Sequence, residues 1–142
     1  MPNRVDPYRG FNFLVEMDGM TQAGFQECSG LDASTDAVDY REGSDPNHVR
    51  KLTGLNKFSA ITLKRGVTDS DELWRWRQTA IDGRTVRKNG SIVLLNEAGE
   101  EKLRWNFHDA WCSKWTGPSF NSTSTAVAVE SIEITHEELR KA

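Results

Sequence analysis

Residues 57–81, KFSAITLKRGVTDSDELWRWRQTAI, decide how the rest of this 142-residue chain is read. Phe58 to Arg65 collects Phe, Ile, Thr and Leu without Gly or Pro, which predicts a strand that Gly66 ends. A helix is predicted to follow at once. Asp69 is placed to cap the free amides of its first turn, with Glu72 three residues on, and Asp71 adds negative charge where the helix dipole favours it. Gly83, after Asp82, marks the stop.

Spaced at about 100° per residue, Leu73, Trp76 and Ala80 share one arc of that helix, and Trp74 and Ile81 form a second arc with Arg77 between them. Two outcomes are open. Both arcs are core, with Arg77 snorkelling out between them; or Trp74 and Ile81 lie against a neighbouring subunit, since an exposed Trp/Ile pair marks an interface.

Outward from this stretch the chain reads as strands. Residues 1–10, with Pro2 and Pro7, are an N-terminal arm. Phe11 to Met17 alternates as a half-buried strand, and Gln22 to Ser29 is expected to pair with it as a first hairpin. Residues 30–56 are punctuated by glycines and Pro46 and hold one strand-like piece, Ala37 to Glu42; Leu52 and Leu55 are expected to pin the return to the core. An irregular segment of this length is uncommon unless disordered or functional. After the helix, Thr85 to Asn96 reads as a strand kinked by a bulge at Asn89 and Gly90. Lys102 to Trp111 places Leu103, Trp105, Phe107 and Trp111 on one face. Ala126 to His136 changes phase between Val127/Val129 and Ile132/Ile134, which calls for a bulge or for cover on both faces.

At this length one domain, residues 1–142, is expected, burying about two thirds of its unfolded surface. No run approaches a membrane span, and no basic region followed by an apolar run opens the chain, so no targeting signal is read and folding in the bacterial cytoplasm is expected. Cys28 and Cys112 have no ligand-like spacing and read as buried free thiols. Residues 1–45 hold nine acids against three bases and residues 46–88 ten bases against four acids. If folding keeps these apart, the molecule has opposite charges on two faces and is suited to head-to-tail stacking; if it interleaves them, the surface is ordinary.

Chemistry is nearly absent from the sequence. It has no phosphate loop, no HExxH, no CxxC and no GxSxG elbow, and no carboxylate pair stands out, so neither an enzyme nor a cofactor site is expected. The five tryptophans could offer a stacking surface for a sugar or a single strand, but Trp105 and Trp111 fall on the apolar side of their strand.

YREG at residues 40–43, KLTGLNKF at 51–58 and ITLKRGVTDSDELWRWR at 61–77 resemble the tail tube proteins of contractile phage tails and contractile injection systems. WNFHDAWCSKWTGP at 105–118 and VAVESIEITHEEL at 127–139 extend the likeness over nearly the whole chain. The resemblance implies a mainly β fold, a β-sandwich or small barrel with one flanking α-helix. Such subunits form hexameric rings whose sheets join into a continuous barrel, and the rings stack through a long loop and the N-terminal arm. The partners implied are further copies of the chain, a sheath protein, baseplate or hub and tail-terminator components, and DNA or effector cargo in transit. No cofactor and no stable membrane insertion are implied, and the setting is a virion tail or an extracellular or membrane-attached particle.

On that reading residues 39–54 form the inter-ring loop, with Asp39, Tyr40, Arg41, Glu42, Ser44, Asp45, Asn47, His48 and Arg50 as stacking residues. Trp74 and Ile81 form an inter-protomer helix face, and Lys64, Arg104, Asn106 and Glu130 are candidates to face the lumen. A tube-initiating hub component or a secreted ring protein of the type VI kind shares the fold. A monomeric ligand-binding β-domain is the alternative of another class.

Overall fold

In the computed structural model of the chain, residues 12–19, 24–44, 47–123 and 125–142 are described. Nine strands and one helix follow in order: β1 (Phe13–Met17), β2 (Glu27–Ser29), β3 (Ala33–Tyr40), β4 (Arg50–Phe58), β5 (Ile61–Gly66), α1 (Glu72–Ile81), β6 (Lys88–Leu95), β7 (Glu101–Thr116), β8 (Val129–Thr135) and β9 (Glu138–Lys141). Seven strands form one antiparallel sheet in the order β1-β6-β7-β8-β5-β2, with β9 also on β7, and β3 and β4 pair only with each other. Among the described residues β1 and β2 end the path without a further partner, so the sheet is an open sandwich.

The two layers arise because β7 is long enough to serve both. Its first half pairs with β6 through Ala110, and its second half pairs with β8 from Trp111 to Thr116. The fold-over lies at a bulge, where Asn89 of β6 stands opposite both His108 and Asp109. Asp109 takes φ 54°, held by the Asn89 side chain on its amide at 3.0 Å. Gly90 is required there, since a Cβ would sit 2.4 Å from the Glu16 carbonyl and 2.5 Å from the Phe107 ring.

That extra residue shifts the alternation. Phe107 is buried, and after the bulge Ala110 and Cys112 point inward, so half-buried Trp111 does not share Phe107's face as the even spacing predicts. The core joins both layers: Val15, Ile92 and Phe107 on one side, Ile61, Leu63, Ile132 and Ile134 on the other, with Leu73 and Trp76 of α1 closing it. Val127 and Val129 stay exposed, and β8 runs against β5 without a register shift, so the phase change there is not a bulge.

Several sequence expectations are corrected. The helix begins at Glu72 with Asp71 at its N-cap, two residues after the expected Asp69 cap, and no side chain caps it. Asp71 instead accepts from Arg75 one turn on, at 2.8 Å. The stop at Gly83 is as expected, with φ 74°. β1 and β2 do not form a hairpin: β1 pairs with β6 and β2 with β5. The sequence separation was short, but the two strands carry faces for opposite layers. Phe11, Gln22, residues 1–10 and Asp45 lie outside the described residues.

Residues 30–56 are mostly regular. β3 and β4 form a hairpin that continues β2 and β5 outward past a break at Gly30–Asp32 and Ser59–Ala60. Leu52 and Leu55 do not reach the core, being 47% and 74% exposed. Polar residues masked the strands in the sequence because this hairpin is solvated on both faces, so no apolar alternation was required of it.

Candidate functional site

Among the described residues no three His, Cys, Asp or Glu side chains are grouped to hold a metal ion, and no helix is long and apolar enough to cross a membrane. Both cysteines are free, and burial pushes each thiol up to about 11. The distinctive features are surfaces, and three stand out.

The first is the β3–β4 hairpin. Pairing of Val38 with Leu52 and of Tyr40 with Arg50 puts Val38, Tyr40 and Leu52 on one face; Asp39 and Lys51, paired across the other face, form an ion pair there. Lys57 and Asp36 pair nearer the root at 3.1 Å. The acid-rich first third and the base-rich middle of the sequence therefore meet within this hairpin, and do not remain on separate faces. Asp39 and Tyr40 lie on β3 and Arg50 on β4, whereas Arg41, Glu42, Ser44, Asn47 and His48 occupy the tip between them; all are exposed. The Tyr40 hydroxyl donates to Glu42 at 2.7 Å, which raises its pKa. A free two-stranded hairpin is marginal in water, and this one carries an uncovered apolar face.

Its root is built more tightly. Gly30 has φ 92°, and a Cβ there would meet the Ala60 carbonyl at 2.1 Å. The Ser59 hydroxyl lies 3.1 Å from the Gly30 carbonyl and 3.0 Å from an Asp32 carboxylate oxygen, joining the two legs. His136, at the end of β8, holds the Ser59 carbonyl through Nε2 at 3.0 Å. Sequence reasoning missed this clasp. Only the glycine between two strands pointed to a close backbone approach.

The second surface is the outer face of α1. Trp74 and Ile81 are 41% and 53% exposed, while Leu73 and Trp76 face the core, so the helix has one uncovered arc. Trp74 meets the Trp115 ring edge-on at 5.0 Å between centroids. Arg77 does not snorkel outward: Nη1 donates to the Cys112 carbonyl at 3.4 Å, on the part of β7 that β6 leaves behind.

The third comprises the sheet faces. Lys64 lies on the outer face of the β2-β5-β8 layer with Thr62, Ser131 and Glu133, and pairs with Glu27 at 3.6 Å. Arg104 and Asn106 lie on the opposite side of the molecule, on the outer face of the β1-β6-β7 layer. There Arg104, opposite Val93 in the register, pairs with Glu16 at 2.8 Å and with Glu101. Asn106 accepts from Ser91 at 2.6 Å.

Glu130 corrects its lumen-facing expectation. It points inward, 7% exposed, where Oε1 takes Arg65 Nε at 2.8 Å and Oε2 accepts from Trp115 Nε1 at 3.2 Å. Phe25 covers the guanidinium at 5.9 Å. The signal was available, since Glu130 shares the phase of Ile132 and Ile134, and Arg65 that of Ile61 and Leu63. The four candidates thus divide between two opposite outer faces and the interior.

The family model for T4-like virus tail tube protein gp19 matches residues 9–140. The chain is similar to a subunit in the cryo-EM structure of the PVC extracellular contractile injection system, sheath–tube complex in the extended state. That match has 31% identity and a TM-score of 0.86 and covers 96% of this chain and 91% of the other. It is equally similar, at 31% identity and TM-score 0.88, to a subunit in the structure of the anti-feeding prophage tube-terminating cap, covering 100% of this chain and 95% of that one. Hcp1 from Flavobacterium johnsoniae, at 18% identity, TM-score 0.58 and coverage of 91% and 93%, shares the fold. No curated protein matches.

Proposed function

We infer, because the chain belongs to the T4-like virus tail tube protein family, that its copies close into six-membered rings and that the rings stack into the inner tube of a contractile tail or injection particle. The observation that carries this reading is incompleteness. The described chain leaves bare an apolar-faced hairpin, an exposed Trp/Ile arc on its only helix and the margins of its sheet at β1 and β2. Edges of this kind invite pairing with further strands, and a closed ring removes them.

Each surface takes a place in that assembly. The hairpin, including Asp39, Tyr40, Arg41, Glu42, Ser44, Asn47, His48 and Arg50, reaches the next ring and buries Val38, Tyr40 and Leu52 there. Trp74 and Ile81 sit against the adjacent subunit of the same ring. The lumen is lined by the outer face of the β2-β5-β8 layer, where Thr62, Lys64, Ser131 and Glu133 offer polar side chains with charges of both signs. Such a wall holds cargo weakly. The Arg104 layer, where Glu16 and Glu101 already engage the guanidinium, faces outward with Asn106.

The tube works by shape, with no chemical step: a surrounding sheath contracts and drives it through a target envelope. The similar structures include subunits of a sheath–tube complex, of a tube-terminating cap and of a baseplate, and the corresponding partners here are a sheath, a terminator and a baseplate. Assembly takes place in the bacterial cytoplasm before the particle is deployed. Negative-stain microscopy of the purified chain tests the reading directly. Rings and tubes are the expected result, whereas a monodisperse monomer at high concentration would overturn it. Deleting residues 44–48 is expected to leave rings and to abolish long stacks; tubes of unchanged length would refute the role given to the hairpin.

A further inference from the structure

His136 is 7% exposed and lies between two aromatic rings, Phe58 at 6.0 Å and Phe107 at 6.3 Å. Its Nε2 faces the Ser59 carbonyl at 3.0 Å. A carbonyl oxygen only accepts, so Nε2 carries the proton of the neutral ring. Nδ1 is buried and has no hydrogen-bond partner, which suits a bare lone pair and does not suit an N–H. The slot therefore suits the neutral ring and leaves the second N–H of a protonated one buried without an acceptor.

Its position gives this consequence. Ser59 ends the outgoing leg of the hairpin, and its hydroxyl ties that leg to Gly30 and Asp32 on the incoming one. Beyond the backbone continuity with β2 and β5, His136 ties the joined legs to the end of β8. We propose that His136 is a proton-operated clasp on the β3–β4 hairpin: neutral, it fixes the hairpin to the body; protonated, it leaves its aromatic slot and frees the root. This rests on the assembly reading only for its outcome, which is that acid loosens ring-to-ring contact.

The surrounding charges do not rescue a protonated ring. On the hairpin legs, Lys57 pairs with Asp36 and Asp32 is engaged by the Ser59 hydroxyl. On β7 the flanking His108 and Asp109 are exposed, and at the bend Glu137 pairs with Arg87 and Glu138 with Arg140. None of these is hydrogen-bonded to the imidazole. Burial accordingly lowers the His136 pKa below its ordinary value, the Ser59 carbonyl opposing this only in part. With the folded pKa lowered, the clasp is intact above the unfolded value of about 6.5 and is lost as pH falls from there through the folded value.

Amide hydrogen exchange on the unassembled chain tests the clasp without invoking tubes. Between pH 7.5 and pH 5, protection at residues 57–61 is expected to fall several-fold relative to that of β6 after correction for intrinsic rates. His136→Gln, whose side-chain amide still donates to the Ser59 carbonyl but does not titrate, is expected to hold its protection throughout. Equal loss in both proteins, or none in either, overturns the proposal. Should the variant not fold, the imidazole C2–H titration of the wild type decides: an inflection at or above the ordinary value refutes the clasp and one below it supports it. Tube length measured over the same pH range is a separate readout. A clasp that titrates in a chain that never stacks sustains this inference and removes the assembly reading.

Discussion

Replacing Glu130 by Leu tests whether the Arg65–Glu130 pair is interior to the subunit. The two side chains are 6% and 8% exposed, and Oε2 also receives the Trp115 indole at 3.2 Å. A leucine of similar volume leaves the Arg65 guanidinium buried and uncompensated, which costs about 3–5 kcal/mol when one member of a buried pair is removed. The lost indole acceptor falls within that range, at about 1 kcal/mol. Spread over a chain of this length, at about 2–4 °C per kcal/mol, the midpoint of thermal unfolding falls by about 10 °C. Unfolding in urea at one fixed protein concentration is the assay, because assembly would otherwise shift the apparent stability. The double variant Arg65→Met with Glu130→Leu removes both charges and is expected to recover most of the loss, since apolar replacement of a whole buried pair is often neutral. A single-variant cost below about 1 kcal/mol, the size of a solvent-exposed pair, would refute the interior placement and return Glu130 to the lumen wall.

Gly30→Ala forces a Cβ to 2.1 Å from the Ala60 carbonyl at a backbone angle that side chains avoid, so the hairpin root must shift. The expected result is a loss of about 1–3 kcal/mol, with hydrogen exchange accelerated at residues 30–33 and 57–61 before the rest of the chain. Trp74→Ala removes a ring already 41% exposed and an edge-on contact with Trp115, so the unassembled chain is expected to lose only about 1 kcal/mol. Ring formation measured by analytical ultracentrifugation is expected to weaken far more, and rings of undiminished stability would place Trp74 outside the subunit contact.

How legible this protein is from its residues depends on what each segment had to satisfy. β5, α1 and β8 were legible because burial on one face imposes a period, although the strand expected to run unbroken from Phe58 to Arg65 is interrupted at Ser59–Ala60, and the helix stop was written in Gly83. The helix start was not, because Asp69, Ser70 and Asp71 are all cap-type residues and no side-chain cap is formed that would single one out. The β3–β4 hairpin was read as irregular because neither of its faces is buried within one subunit. The second arc at Trp74 and Ile81 was legible, and the structure leaves it uncovered while burying Leu73 and Trp76, which removes the reading of both arcs as core. The His136 clasp joins residues 77 positions apart, which no local pattern encodes.

The passage of one unbroken strand, β7, through both layers has a mechanical meaning. Two sheets held together by side chains alone slide when sheared, because contacts between apolar groups have no preferred direction. Here a push along the molecule that tries to displace one layer must stretch the peptide backbone of residues 101–116, which scarcely yields. A tube subunit gains stiffness from such a shared beam, and the weakest point under load moves to the joints between subunits.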